Sequence, residues 1–269
     1  MFIAVLLAAG IGCVLYPLIS NIVSARHQSH AVETYIESVE ELDEEDYTEL
    51  FERAYAYNEW LFESGRLLAL TEEELEEYMT QLSVESTDVM AYIRIEKIDV
   101  YLPIYHTTDD AVLQVGVGHL EGTSLPVGGE STHCVLAAHT GLPTSTLFSD
   151  LDELEIGDTF QIFILGQTLT YEVDRILTVD PYDIEDVAIV EGEDYVTLLT
   201  CTPYGVNSHR LLVRGHRTEN PAAEETQEDE QDSLLLLVIA ILLILLLLML
   251  SLEAGYECRK RRRLLMRNS

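Results

Sequence analysis

The sequence predicts an all-β domain, a closed barrel or a sandwich, that follows an N-terminal helical region and is flanked by membrane segments. Between residues 91 and 215, short runs rich in Val, Ile, Thr, Tyr and Phe are separated by Gly, Pro, Asp and Asn, as strands are by turns. Seven or eight such runs with few helices between them favour a closed barrel or a sandwich. Long apolar stretches at both ends of the chain predict the membrane segments.

The first 20 residues are predicted to be a signal peptide or an N-terminal membrane anchor. They are apolar and uncharged, although Gly10, Gly12 and Pro17 weaken them as a helix and no basic residues precede the apolar run. Either alternative sends the middle of the chain across a membrane.

Residues 21–88 are predicted to form an acidic helical region. Apolar residues recur at helical spacing in two stretches, hinged near the sequence LDEED, and residues 72–82 predict a third helix. The connection at residues 63–71 could lie over a neighbouring surface.

Residues 89–217 are predicted to be the β-domain. Gly166 and Gln167 lie between two strong strand patterns and predict a hairpin, and residues 145–154 predict a short helix. The predicted strands are AYIRI, KIDVYLPIYH, HCVLAAH, DTFQIFIL, QTLTYEVDRILTV, YVTLLTC and HRLLVRG.

The end of the chain predicts a tether. Residues 218–232 form a polar, acidic linker without apolar periodicity, and residues 233–252 are apolar for long enough to cross a bilayer as a helix. Residues 253–269 carry six Lys or Arg residues, which places this tail in the cytoplasm and the β-domain outside the cell membrane.

The charge of the chain excludes nucleic acid as a partner. The net charge is −33, and much of the basic residue content lies in the C-terminal tail, so the predicted extracellular part is still more acidic. Such a surface repels nucleic acid and anionic lipid and favours a cationic or amine-bearing partner, or else it serves general solubility. Four cysteines do not make a disulfide framework.

Residues 195–217 read as a strand, a turn-rich loop and a second strand, and they hold the first candidate site. Cys201 lies where the first strand ends, and Arg210 lies nine residues later, a spacing that suits a return across a hairpin. His139 closes an earlier strand in VLAAHTGLP, and a turn follows it. A nucleophilic cysteine needs a base and a positive group nearby. Taken singly, such a cysteine is more often a small buried hydrophobic residue, a histidine is more often structural, and an arginine on a strand usually lies on a solvated face.

These motifs together resemble the sortase family, specifically the class C, pilin-polymerising sortases of Gram-positive bacteria. Thr197, Leu198, Thr200 and Cys201 match the TLxTC signature, Arg210 matches its downstream arginine, and VLAAHTGLP and GVGHLEGTSLPVGGESTH precede them in the family order. The C-terminal apolar helix with a basic tail also resembles class C.

The resemblance implies an eight-stranded closed barrel and a cysteine transpeptidase. Cys201 would attack the Thr–Gly bond of an LPxTG-like sorting signal, and His139 would protonate the leaving amine and deprotonate the incoming one. Arg210 would bind the substrate backbone or the oxyanion, and the acceptor would be a pilin lysine. The alternatives are a sortase that attaches proteins to cell-wall peptide and, in another class, a catalytically silent scaffold that binds sorting peptides.

Neither a cofactor nor a metal is expected. His133, Cys134 and His139 are close in sequence, but no matching Cys or His pair completes a tetrahedral set. Strand alternation puts Cys134 on the face opposite His139, which favours a packing role.

The sequence departs from class C at the lid. Many class C sortases carry an Asp-Pro-aromatic motif there, and residues 63–75, ESGRLLALTEEEL, contain none. The sequence therefore predicts either a lid with another anchor or an open groove.

Overall fold

The computed structural model describes the backbone of residues 2–220 and the side chains of residues 10–220. Four helices precede or interrupt the sheet: α1 (Phe2–Glu40), α2 (Glu44–Ser64), α3 (Glu72–Tyr78) and the single turn α4 (Asp110–Leu113). From residue 20 onward the described chain belongs to one compact unit. The predicted hinge near LDEED is confirmed, because α1 ends at Glu40 and α2 begins at Glu44.

Local sequence sets the ends of α2. The side chain of Asp43 accepts hydrogen bonds from the backbone N–H groups of Glu45 and Asp46, both at 2.9 Å, and three acidic residues occupy the first turn. Gly65 ends the helix with a left-handed backbone, φ 61°, and its N–H donates to Phe62. These residues fix where the following connection leaves the helix.

Eight strands form the closed barrel that the sequence predicts, and its other alternative, a sandwich, is excluded. The barrel order is β1-β2-β3-β4-β7-β8-β6-β5, and the sheet is mixed, because β2 and β3 are parallel and β4 and β7 are parallel. The strands are β1 (Val89–Ile95), β2 (Val100–His106), β3 (Val117–His119), β4 (Thr132–Ala137), β5 (Thr159–Ile164), β6 (Gln167–Val179), β7 (Asp194–Thr202) and β8 (His209–Thr218).

Alternation along the strands separates an inner face from an outer face. The inner face packs into the main core, and on β4, β7 and β8 it contributes Cys134, Leu136, Val196, Leu198, Leu211 and Val213. The next residues along each strand face outward. On β4 and β8 these include Val135 and Leu212, which form a second, smaller apolar cluster with Val187.

The helical region is bound to the barrel by polar groups as well as by apolar packing. The Tyr35 hydroxyl of α1 donates to the Met90 carbonyl at 3.0 Å and accepts from the Leu165 N–H at 2.8 Å. Asn58 of α2 forms a two-sided bond with the backbone of Leu125, with its oxygen accepting at 2.7 Å and its nitrogen donating at 3.2 Å. Both residues are buried, so each unpaired group would carry a desolvation cost.

Two local predictions differ from the structure. The helix predicted at residues 145–154 is absent, because Leu147 has φ 44°, a left-handed value that a helix cannot include, and only a three-residue 3₁₀ turn forms at Leu151–Glu153. The helix predicted at residues 72–82 ends at Tyr78, and Leu82 has φ 52°. The predicted hairpin at Gly166 is confirmed by the antiparallel pairing of β5 and β6.

No helix within the described part of the chain is long and apolar enough to cross a membrane. The predicted membrane helix at residues 233–252 and the basic tail at residues 253–269 lie outside the described residues, as does nearly all of the linker at residues 218–232.

Candidate active site

The last two strands bring Cys201 and Arg210 together. β7 and β8 are antiparallel, and their register places Cys201 directly opposite Arg210. Residues paired in this way have Cα atoms about 4.5–5.5 Å apart and side chains on the same face of the sheet. The hairpin therefore presents a thiol and a guanidinium next to each other, as the nine-residue spacing predicts.

The parallel pairing of β4 and β7 brings His139 to the same row. Ala137 pairs with Leu199, and two hydrogen bonds continue this register past the end of β4: the Ala138 N–H donates to the Leu199 carbonyl at 3.1 Å, and the Thr200 hydroxyl donates to the Ala138 carbonyl at 2.8 Å. Extending this register one residue past Ala138 and Thr200, beyond the end of β4, points to a position for His139 next to Cys201. The hydroxyl of Thr200, in the TLxTC motif, thus ties the cysteine strand to the histidine loop.

This row lies on the outer face of the barrel, at the edge of an apolar floor. Cys201 is two residues beyond Leu199, and Arg210 is two residues before Leu212, and both apolar residues belong to the outer cluster. Two residues along a strand correspond to about 7 Å. We call this surface the apolar floor; it consists of Leu120, Val135, Leu177, Val179, Val187, Leu199 and Leu212.

The backbone of its own loop holds the Arg210 guanidinium. Its Nη1 donates to the carbonyl oxygens of His209 at 3.2 Å and Asn207 at 3.4 Å. Both acceptors are neutral, so these contacts do not neutralise the positive charge. A guanidinium in this position can turn towards a carbonyl or an oxyanion formed next to Cys201.

The connection between α2 and α3, residues 65–71, lies over the apolar floor. Leu67 is half-buried and packs against the outer cluster. The next residue, Leu68, donates its N–H to the Gly122 carbonyl at 3.4 Å. A Cβ on Gly122, which has φ 80°, would lie 2.8 Å from the Cα of Leu68, so only glycine permits this close approach. We call residues 65–71 the cover segment.

An arginine anchors the cover segment to its neighbouring helices. Arg66 forms a two-pronged ion pair with Glu74 of α3, and its guanidinium lies 5.1 Å from the centre of the Trp60 ring of α2. The bond from Arg66 and a further one from the Thr71 N–H hold the pKa of Glu74 at about 2, well below its ordinary value of 4.5. A lid with an anchor other than Asp-Pro-aromatic is thus the alternative that fits the contacts of Leu67 and Arg66.

A buried tyrosine and histidine attach α3 to the barrel. The His119 Nε2 lies 2.8 Å from the Ser124 carbonyl, which can only accept, so Nδ1 accepts from the Tyr78 hydroxyl at 2.9 Å. Complete burial lowers the pKa of His119 from 6.5 to about 4, so the ring is neutral at pH 7. This pair holds the helix that carries Glu74.

The other histidines and cysteines of the motifs have different roles. Cys134 is buried in the main core, on the face opposite His139, as alternation predicts, and burial raises the pKa of its thiol. The ring nitrogens of His133 contact the Ala188 carbonyl and the Thr197 hydroxyl, so that ring holds strands together. Nowhere in the described residues do three or more His, Cys, Asp or Glu side chains form a group that could hold a metal.

A closed mixed barrel that carries a cysteine, a histidine and an arginine in one outer row has the groups needed for acyl transfer through a thioester. The family model named Sortase domain matches residues 93–218. Sortase C1 from Streptococcus agalactiae is 52% identical, with a TM-score of 0.70, over 71% of this chain and 100% of that chain. Sortase C of Streptococcus pneumoniae is 44% identical, with a TM-score of 0.65, over 72% and 100% of the two chains.

The chain belongs to the sortase family, whose members are cysteine transpeptidases. Sortase C-1 of Actinomyces oris also matches, with 47% identity and a TM-score of 0.61 over 65% of this chain and 99% of that one. Sortase A of Bacillus anthracis is 28% identical over 133 residues, which are 49% of this chain and 61% of that protein. The likeness to class C inferred from the motifs is confirmed by these solved structures.

Proposed function

We propose that this chain is a class C sortase that joins pilin subunits through a thioacyl intermediate on Cys201. The observation that carries the proposal is the pairing of Cys201 with Arg210 on neighbouring strands, and the β4–β7 register, which leads to His139 two residues after β4 ends, supports it. The solved relatives add the substrate class, because one is described as a sortase C1 of a pilus island and another in connection with pilin substrate specificity.

In the first half-reaction, the Cys201 thiol passes its proton to His139, and its sulfur attacks the carbonyl carbon of threonine in an LPxTG-like signal. The carbonyl oxygen becomes an oxyanion, which Arg210 stabilises with its fixed charge. The C–N bond to glycine then breaks, and His139 gives a proton to the departing amine. The products are a thioester on Cys201 and a free glycine amine.

In the second half-reaction, the amine of a pilin lysine attacks the thioester. His139 accepts a proton from that amine, the tetrahedral intermediate collapses, and the Cys201 thiolate leaves. An isopeptide bond forms and the enzyme returns to its starting state. The acidic surface of the chain would favour an approaching lysine over an anionic competitor.

The apolar floor gives the sorting signal a binding place. Leucine and proline at the start of an LPxTG-like signal are apolar. The apolar floor lies about two residues along the strands from Cys201 and Arg210, the pair that we call the reactive row. An extended peptide can therefore bury its leucine and proline on the floor while its threonine reaches Cys201. Leu67 occupies this surface, so the peptide must displace the cover segment.

We also propose that residues 233–252 anchor the enzyme in the cell membrane, with the barrel outside and residues 253–269 in the cytoplasm. The supporting observations are the length of the apolar run and the basic tail that follows it. The signal peptide or anchor at residues 1–20 is part of this proposal. Protease protection of the tail in intact cells tests the orientation.

The function is tested by incubating the full chain, in detergent, with a pilin that carries its sorting signal. The expected result is a ladder of pilin polymers that resists boiling in detergent, and no ladder with Cys201→Ala. A ladder of unchanged strength with Cys201→Ala would reject the assignment. Thermal unfolding of the variant provides the control for folding.

The two alternatives give different results in the same assay. A sortase specific for cell-wall peptide would release the signal and join it to a peptide amine but form no pilin ladder. A silent scaffold would bind the signal peptide tightly and release no glycine fragment.

A further inference from the structure

We propose that Tyr204 is a positioning residue that sets the distance between His139 and Cys201. The inference rests on the proposed function and adds to it a residue that makes no bond to substrate. Tyr204 lies three residues after Cys201, in the loop between β7 and β8, residues 203–208. We call this the hairpin loop, and we call residues 139–149, which begin with the proposed base, the histidine loop.

The ring of Tyr204 lies on the backbone of Gly141, two residues beyond His139. A Cβ placed on Gly141 would lie 3.0, 3.3 and 3.5 Å from Cε2, Cζ and Cδ2 of that ring. Gly141 also has φ 75°, a left-handed backbone that favours glycine. The ring therefore fits against a site that has no side chain, and it does so although Tyr204 is 71% exposed overall.

Each of the two loops is also held by other bonds, and the histidine loop is bound to α1 as well. The Gln28 side-chain nitrogen donates to the Ser145 hydroxyl at 3.0 Å, and the Thr146 N–H donates to the Asn21 side-chain oxygen at 3.0 Å. In the hairpin loop, the N–H groups of Val206 and Asn207 both donate to the Pro203 carbonyl at 3.0 Å. In the histidine loop, the Phe148 N–H donates to the His139 carbonyl at 3.2 Å and the Gly141 N–H donates to the Ser149 hydroxyl at 3.0 Å. The contact of Tyr204 with Gly141 is thus a bridge between the hairpin loop and the part of the histidine loop next to His139.

This bridge lies just beyond the reactive row. The register of β4 and β7 fixes the backbones as far as Ala138 and Thr200, and His139 and Cys201 come directly after these anchored residues. Beyond them, the packing of the Tyr204 ring on Gly141 sets the spacing of the two loops. A nucleophile and a base must approach to about 2.6–3.2 Å for proton transfer, so a small separation of the loops reduces the rate.

The aromatic ring of Tyr204, and not its phenol hydroxyl, sets the spacing of His139 and Cys201. Tyr204→Phe keeps the ring face that packs on Gly141, whereas Tyr204→Ala removes it. Because the ring acts on the reacting groups and not on peptide binding, the change should fall on kcat and not on KM.

The test measures steady-state transpeptidation by the full chain in detergent, with an LPxTG peptide and a small amine acceptor. We expect Tyr204→Ala to lower kcat at least about tenfold, with KM within about twofold, because a misplacement of about 1 Å can cost up to a hundredfold. Tyr204→Phe should rescue kcat to within about twofold of the parent. Val206→Ala, at a 70% exposed residue of the same loop, is the matched control and should have no effect.

A double-mutant cycle makes the contact itself testable. Gly141→Ala should lower kcat in the parent both through contact with the ring and through its strained backbone, whereas in Tyr204→Ala only the strain remains. The loss caused by Gly141→Ala should therefore be smaller in the Tyr204→Ala background. Equal losses in both backgrounds would show that the two residues act independently and would overturn the bridge.

The other outcomes are equally decisive. An unchanged kcat in Tyr204→Ala, an effect on KM alone, or an equal loss of kcat in Tyr204→Phe and Tyr204→Ala would each overturn the inference. If Cys201→Ala is fully active, the proposed function fails, whatever the result at Tyr204. If Cys201→Ala is inactive and Tyr204→Ala behaves as the parent, only the positioning role is lost.

Discussion

Replacing Leu67 with alanine should expose Cys201 to reagents. Leu67 is half-buried on the apolar floor, and the substitution removes three carbon atoms from that contact. Full burial is worth roughly 0.8 kcal/mol per carbon, so a half-buried side chain loses about 1 kcal/mol of packing. If the cover segment opens and closes over the floor, the open population rises about fivefold.

Alkylation of Cys201 by iodoacetamide, followed by mass spectrometry, measures this population. Cys13 and Cys258 are replaced by serine so that they do not react, and Cys134 is buried in the core. We expect the rate of alkylation to rise about fivefold in Leu67→Ala. Leu75→Ala is the matched control, because Leu75 lies on α3 and is 37% exposed. Equal rates in the two variants would refute the idea that the cover segment shields the thiol.

Three further predictions concern the anchor, the arginine and the buried histidine. Glu74→Gln should speed tryptic cleavage after Arg66, because the guanidinium loses its ionic partner, and an unchanged rate would show that the ion pair does not hold the cover segment. Arg210→Lys should lower kcat at least about tenfold in the peptide assay, because a point charge replaces a planar fork, and full activity would exclude the oxyanion role. As the pH is lowered from 6.5 to about 4, the free energy of unfolding, measured with urea, should fall by up to about 1.4 kcal/mol per pH unit. The reason is that His119 takes up its proton at a higher pH in the unfolded chain than in the folded one. The His119→Gln variant should be less stable at pH 7, but its free energy of unfolding should change less with pH. Parallel plots of unfolding free energy against pH for the parent and the variant would contradict this prediction.

Local patterns were enough to predict the reactive hairpin. The β-branched residues of β7 and β8, the turn residues between them and the nine-residue spacing together predict that Arg210 returns beside Cys201, and the register agrees. The position of His139 needs a parallel pairing between β4 and β7, strands separated by more than fifty residues, and periodicity alone cannot supply it. The family motifs supplied that link.

Other features depend on contacts that the sequence pattern does not contain. β3 has three residues, too few to show alternation, and its place in the barrel comes from its pairing with β2 and β4. No α-helix forms at residues 145–154, because Leu147 has a left-handed backbone, which leucine seldom adopts and which the sequence therefore does not predict. Leu67 and Tyr204 contact residues far away in sequence, so neither role is visible before the fold is known.

The central claim is that Cys201 carries the acyl group, and the mass of the intact protein tests it most directly. After incubation with an LPxTG peptide and no amine acceptor, the full chain should gain the mass of the peptide up to its threonine, and fragmentation should place that mass on Cys201. Cys201→Ala should gain nothing, and His139→Ala should gain it much more slowly. An adduct on another residue, or one that persists in Cys201→Ala, would contradict the account.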